Sequence, residues 1–365
     1  MVLAKAFFER LIVIVVTAAA LVAGVDALQT DTVPQRAPAA LAVSTTVLAL
    51  NPDDPAQQRL GPLRFMGAVQ MRSSDPGFGG ISALRAGPGT RMLAVTDTGN
   101  WLAFDTVERD GRLVGVANAY MRAIPQPGGT PLLRKADGDA EALDWDAATG
   151  AASIVYEQDH RIAHFTGIDA SPASLAAPPE RVERLTPMLA WGNNSGGEAM
   201  AVLPGGARVI LAEQARHADG SRVALLTISG VTREIAITGV PGMSPTDAVA
   251  LDDHTVLILH RHFSATGGLS AALSRVDLAL ALAGGTATQP PVLPMTLLAR
   301  WQAPVTLDNM EGLALRRDGG RVFVYLVSDN NFNSLERTLL LKFELVADAS
   351  AGRATSPRRA GPPPR

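Results

Sequence analysis

The 365-residue chain contains no cysteine. That excludes disulfides, thiolate metal sites, a cysteine nucleophile and a lipid-modified N-terminal cysteine. Aromatic residues are scarce, at 5%, which argues against stacking of nucleic-acid bases or long sugar chains. A strong charge of either sign is also missing. The formal net charge is −3, so no nucleic-acid partner is expected. The six histidines show no His-Glu-x-x-His or similar close spacing, which speaks against a zinc site. There is no Gly-x-Ser-x-Gly elbow, no Walker-type loop and no dinucleotide loop. Ser195, in Asn193-Asn-Ser-Gly-Gly197, is the one serine in a suggestive loop, and a glycine-rich entry to a strand explains that loop equally well. What the chain does have is 47% hydrophobic residues, enough to bury a large core.

The N-terminus reads as a targeting segment. Lys5 and Arg10 precede an uncharged apolar run from Leu11 to Ala23, and Val25-Asp26-Ala27 fits a small-x-Ala cleavage site. The run is shorter than the roughly 20 residues that a membrane-spanning helix needs. Residues 1–27 are therefore expected to be a signal peptide, with an uncleaved N-terminal tether as the alternative. Either way the rest of the chain is expected outside the cytoplasm, periplasmic or secreted, in a bacterium. No later run is long and apolar enough to give the mature chain a transmembrane domain. Residues 28–60 read as an N-terminal segment or linker, 61–346 as the folded domain, and 347–365, rich in Ser, Ala, Gly, Arg and Pro, as a disordered tail.

A repeat runs through the middle. One short phrase recurs as Gly79-Gly-Ile-Ser82, Glu141-Ala-Leu-Asp144, Glu198-Ala-Met-Ala201, Asp247-Ala-Val-Ala250 and Glu311-Gly-Leu-Ala314. After each comes a turn rich in Gly, Pro or Asp, then a β-branched or aromatic run ending near a polar residue: Asp97, Glu157, Glu213, His260 and Asp329. Third strands follow, as in Arg161–Phe165 and Thr338–Phe343, and weaker fourth ones, as in Arg233–Ile237. Four short antiparallel strands in each unit of about 50 to 60 residues describe a β-propeller blade. The fold class is therefore all-β, a closed propeller of four-stranded blades, five counted and six possible. The last unit has three obvious strands, so Leu63–Val69 is expected to supply its fourth and close the ring. The stretch Leu278–Ala283 reads as a helical turn or a strand end.

Several of these phrases carry a resemblance. Phe78-Gly-Gly-Ile-Ser-Ala-Leu84, Asp139-Ala-Glu-Ala-Leu143, Tyr156-Glu-Gln-Asp-His-Arg161, His260-Arg-His-Phe263 and Asp308-Asn-Met-Glu-Gly-Leu-Ala314, together with Asn193–Met200, resemble the "esterase-like activity of phytase" family over about residues 61–345. The resemblance implies a relation to β-propeller phytases, which are calcium-dependent phosphomonoesterases, and an esterase-like activity.

Stacked blades bring equivalent residues around one axis, so repeated acids should meet there. Glu141, Glu157, Glu198, Glu213, Glu311 and Asp329 are the candidate metal ligands. Oxygen-only donors suit Ca²⁺. His160, Arg161, Arg216 and Arg261 stand just beyond several of these acids and are the candidate ligand-binding residues, suited to gripping phosphate or carboxylate. Two function classes stay open: a calcium-dependent phosphoesterase or esterase acting on a small-molecule ester at the channel mouth, and a non-catalytic propeller that binds a ligand or a protein.

Overall fold

The β-branched runs and their Gly, Pro and Asp turns form the strands that their pattern requires. A computed structural model describes residues 38–129, 135–192, 196–264, 267–284 and 292–346. The expected signal segment, the tail and Ser195 lie outside the described residues.

Five antiparallel sheets are arranged as the five blades of a propeller. From the axis outward, blade 1 contains Ile81–Ala86, Arg91–Thr96, Asn100–Arg109 and Arg112–Ala123, with Ala39–Ala40 at its outer edge. Blade 2 contains Ala140–Asp146, Ala151–Tyr156, Arg161–Phe165 and Arg181–Glu183. Blade 3 contains Gly197–Val202, Arg208–Arg216, Arg222–Ile228 and Val231–Ile237, extended by the parallel Val292–Leu293. Blade 4 contains Ser244–Ala250, Thr255–Ser264, Gly268–Asp277 and Met295–Gln302. Blade 5 contains Asn309–Asp318, Arg321–Asp329 and Thr338–Leu345, and is completed by Leu63–Ser73 and Val43–Leu48.

The ring closes as the sequence suggests. Leu345 pairs with Leu63, Phe343 with Phe65 and Leu340 with Val69, so an N-terminal strand covers an edge that would otherwise be open. No sixth blade occurs among the described residues. The long interval after Gly79 is taken up by the ten- and twelve-residue outer strands of blade 1, and residues 43–73 belong to blade 5. Leu278–Ala283 contains a single helical turn, Ala279–Leu282. No helix among the described residues is long and apolar enough to cross a membrane.

The inner strands contact one another in cyclic order around the axis, and each of the five seams between blades holds its own apolar cluster. A buried polar hub lies among the inner strands. Arg85, on the inner strand of blade 1, is 3% exposed. Its guanidinium donates to Asp247 of blade 4 at 2.9 and 3.1 Å, to the carbonyls of Leu84 and Leu313 at 2.6 and 2.9 Å, and to those of Met200 and Ala248 at 2.8 and 2.7 Å. Asp247 in turn accepts the backbone N–H of Leu313 at 2.7 Å. A single ion pair thus ties together blades 1, 3, 4 and 5. Asp247 is therefore a member of this hub, with Arg85 compensating its charge against a burial that pushes its pKa up to about 6.

Breaking such a pair leaves an uncompensated buried charge. Asp247→Leu should lower stability by about 3–5 kcal/mol, read by denaturant unfolding. In this protein the double replacement Arg85→Leu/Asp247→Leu should recover little, because four carbonyls lose their donor as well. Near-complete recovery in the double variant would show that the charges alone matter.

Candidate functional site

Pairing between the first two strands slips at the same place in every blade. The bulged residues are Ser82, Glu141, Glu198, Thr246 and Glu311. A β-bulge re-aims the side chain of its extra residue. This corrects the equivalence drawn from the phrase alone, which placed Gly79 and Asp247 beside the three glutamates. A one-residue difference in register reverses which way a side chain faces, so Asp247, one place beyond its bulge, belongs to the hub. The hydroxyls at the two remaining bulges bond the next inner strand: Ser82 Oγ to Ala140 O, and Thr246 Oγ1 to Met310 O at 3.1 Å.

The same pairing aligns Thr96, Tyr156, Ala212, His260 and Ser328 near the ends of the second strands. The next residues are Asp97, Glu157, Glu213, Arg261 and Asp329. Blade 4 therefore places Arg261, not His260, at the position of the four acids. His260 is buried one residue back, hydrogen-bonded through Nε2 to Ser274 Oγ at 2.7 Å, and burial holds its pKa down at about 3. Gly80 opposes Asp97 across the strands. A Cβ at Gly80 would lie 2.0 Å from Asp97 Oδ1, and one at Gly79 would lie 2.2 Å from Asn330 Oδ1. That close approach explains why glycine stands here in blade 1.

The two rings bring all six expected metal-ligand candidates to one end of the channel. Glu157, Glu198 and Glu213 each offer an oxygen within 4.8 Å of the others, and so do Asp139, Glu141 and Glu157. Glu157 is shared by both groups. Gly196 N–H donates to Glu157 Oε1 at 3.2 Å, and Gln158 Nε2 to Asp139 Oδ2 at 2.8 Å. A Cβ at Gly196 would lie 2.5 Å from Glu157 Cγ, so glycine is needed for this approach. Asp139 joins the site as a residue that the repeat does not single out. Its signal was its place two residues before the repeated Glu141.

Charges in this cluster are poorly balanced. Burial, then repulsion from Glu198, Asp139, Asp97 and Glu157, pushes the Glu141 pKa well up. Burial and the neighbouring acids Glu157, Glu213 and Glu311 raise Glu198 likewise. Burial chiefly pushes Glu157 and Glu311 up to about 7, and Asp329 is raised by burial and then by Asp97. Among the described residues, the cation facing them is Arg261. Its Nε lies 3.0 Å from Glu311 Oε1 and its Nη1 donates to Asn309 Oδ1 at 3.1 Å. Glu198, Glu213 and Glu141 also act on it electrostatically.

The other three basic candidates sit elsewhere. His160 is buried, with Nε2 3.2 Å from Trp191 O. Arg161 is held by Asp159 at 2.5 Å and Gln126 at 3.0 Å, with its guanidinium 3.8 Å over the Tyr156 ring. It lines an open cavity of about 620 Å³ with Gln126, Asp159, Arg181 and Arg184. Arg216 is exposed and donates to Gly220 O within its own hairpin at 3.3 Å.

Raised carboxyl pKa values make a prediction with a definite sign. Glu157 and Glu311 titrate near 7 in the fold, against 4.5 ordinarily. The folded protein therefore keeps protons that the unfolded chain releases. Their contribution to stability is complete below about pH 4.5 and is lost as pH rises through about 7. Glu183, held near 2 chiefly by its hydrogen bond from Arg208, acts oppositely, its contribution being lost as pH falls from about 4.5 towards 2. Without added cations, the melting temperature should peak near pH 4.5 and fall towards neutrality, and Glu157→Gln should flatten that fall. A melting temperature that rises steadily to pH 7.5 would refute the protonation pattern.

No curated protein matches the chain significantly. Solved structures that align with it include a PQQ-bound aldose sugar dehydrogenase from Streptomyces coelicolor, with 15% identity, a TM-score of 0.40, and 84% of this chain and 99% of that one covered. The major allergen Mala s 1 of Malassezia sympodialis aligns with 11% identity and a TM-score of 0.39, over 77% of this chain and 88% of that one. Hydrazine synthase of Kuenenia stuttgartiensis aligns with 12% identity and a TM-score of 0.38, over 71% and 79%. The model of the phytase-like family, esterase-like activity of phytase, matches residues 76–332, which span all five inner strands and both rings of side chains, and the chain belongs to that family.

Proposed function

We propose that this chain is an exported phytase-like propeller that binds calcium among the acids of the channel mouth and hydrolyses a small phosphoester or carboxylic ester there. In this reading residues 1–27 are removed on export, 61–346 form the working domain after the 28–60 segment, and 347–365 trail from it. The observation that carries the proposal is the sharing of Glu157 between two carboxylate triads. Their donors are all oxygens, and calcium accepts 6–8 of them in flexible geometry. Asp139, Glu141 and Glu157 would hold a cation on one side of the shared carboxylate, and Glu198 and Glu213 on the other. Bound there, calcium supplies a water of lowered pKa and an electrophilic contact for an ester oxygen.

The chain's own groups have complementary parts. Gly196 N–H and Gln158 fix the orientation of Glu157 and Asp139. Arg261 takes over the grip on an anionic oxygen that was expected of four basic residues. The pairing of Arg261 with Glu311 at 3.0 Å favours a second reading. In it the arginine serves only to balance an acid, and the mouth binds a cationic ligand without chemistry.

Calorimetric titration of the mature protein with calcium separates these readings when joined to assays on a phosphoester and carboxylester panel. Saturable binding is expected, with a stabilisation of about 2.7 kcal/mol at a hundredfold excess over Kd. Glu157→Gln should weaken binding at least tenfold, and turnover should require the metal. Binding without turnover of any ester supports the ligand-binding propeller. Absence of calcium binding removes the metalloenzyme.

A further inference from the structure

The seam between blades 2 and 3 has the smallest apolar cluster of the five among the described residues. Polar side chains occupy part of it. Ser153 and His164 face each other across adjacent strands of blade 2, with Ser153 Oγ 2.9 Å from His164 Nδ1. His164 Nε2 lies 2.8 Å from Glu183 Oε2 on the outermost strand. Arg208 of blade 3 grips both oxygens of Glu183, at 3.0 and 2.8 Å, and fixes the carboxylate in place. Ser153 is four residues from Glu157 along its strand, about 13 Å at roughly 3.3 Å per residue. It is therefore separate from the acidic mouth.

Protonation in this chain of contacts is dictated by its ends. Arg208 holds the Glu183 carboxyl down near 2, so it is ionised and can only accept a hydrogen bond. His164 must then donate through Nε2. Burial, outweighing Glu183, lowers its pKa, so the ring is neutral at pH 7 and Nδ1 carries a lone pair. The Ser153 hydroxyl can only donate to it. A carboxylate orienting an imidazole whose free nitrogen takes a serine proton is the arrangement that activates a nucleophile, with the two ring nitrogens exchanged relative to the serine-protease triad.

We infer that Ser153, His164 and Glu183 form a second reactive site, in which Ser153 is an activated nucleophile towards carboxylic esters. Its oxygen bonds the carbonyl carbon while the hydroxyl proton passes to His164 Nδ1. The ester C–O bond then breaks, and the departing alkoxide takes that proton. Water, giving its proton to the same nitrogen, attacks the acyl-serine, releases the acid and returns the proton to Ser153. Glu183 acts through His164 as a positioning residue, and the exposed guanidinium of Arg181 lies 3.3 Å from its carboxylate.

The absence of cysteine supplies a clean test. In full-length Ser153→Cys the introduced thiol is unique, and iodoacetamide reports its activation directly. Alkylation at pH 7 should be about a hundredfold faster than in Ser153→Cys/His164→Gln, the scale of general-base assistance, and Glu183→Gln on the Ser153→Cys background should give most of that loss. Circular dichroism and melting curves establish that each variant is folded. In the unmodified protein a fluorophosphonate probe should label Ser153, located by peptide mass spectrometry, and Ser153→Ala should abolish labelling. Equal alkylation rates with and without His164, in folded variants, would overturn the proposal and leave the contacts as a clamp between blades. Labelling by the probe at a different residue, unaffected by Ser153→Ala, would overturn it too.

Discussion

Five inner strands converge on one axis, and the side chains they send there must be compatible with one another away from bulk water. The Arg85–Asp247 pair is the solution at the core of the ring. One guanidinium satisfies a carboxylate and four carbonyls drawn from four blades. Planar, multidentate donation makes arginine fit such a place where lysine would not. With the axis fixed in this way and the ring closed by Leu63–Ser73, the bulged residues at the other level of the channel are held at constant positions relative to each other.

At that level the balance is reversed. Glu141, Glu157, Glu198, Glu213, Glu311 and Asp329 gather, among the described residues, around Arg261, and burial in company with like charges raises several of their pKa values. Structural need does not require this, because blades 1 and 4 carry neutral hydroxyls at the same bulge. The proposed cation-binding mouth would account for both the excess of acids and the orientation of Glu157 by Gly196. Perturbed carboxyls in a cleft are a recognised mark of a functional site.

Much of this was legible in the sequence, for a physical reason. Blade strands are short, bounded by turn residues and repeated, so the architecture and the closing strand could be read from pattern alone. The acid cluster followed because equivalence in a ring implies proximity. What the pattern hid was register. Thr246 rather than Asp247 sits at the bulge of blade 4, and Arg261 rather than His260 at its strand end, because one inserted residue leaves no mark in composition. His160, Arg161 and Arg216 were read as facing the mouth from their nearness in sequence to acids. Their partners, Trp191, Asp159 and a carbonyl of the Arg216 hairpin, are set by packing that sequence does not disclose. Ser153 and His164 carried no motif at all, since their meeting depends on cross-strand pairing.

The central claim is that buried, partly protonated carboxylates become ionised to hold a cation. Counting protons tests it most directly. Calcium binding should be measured calorimetrically near pH 6.5 in buffers of different ionisation enthalpy. The account predicts observed heats that vary linearly with that enthalpy, reporting net release of protons, and a smaller release at pH 8.5, where Glu157 and Glu311 have already lost theirs. Binding heats identical in every buffer at pH 6.5 would contradict it.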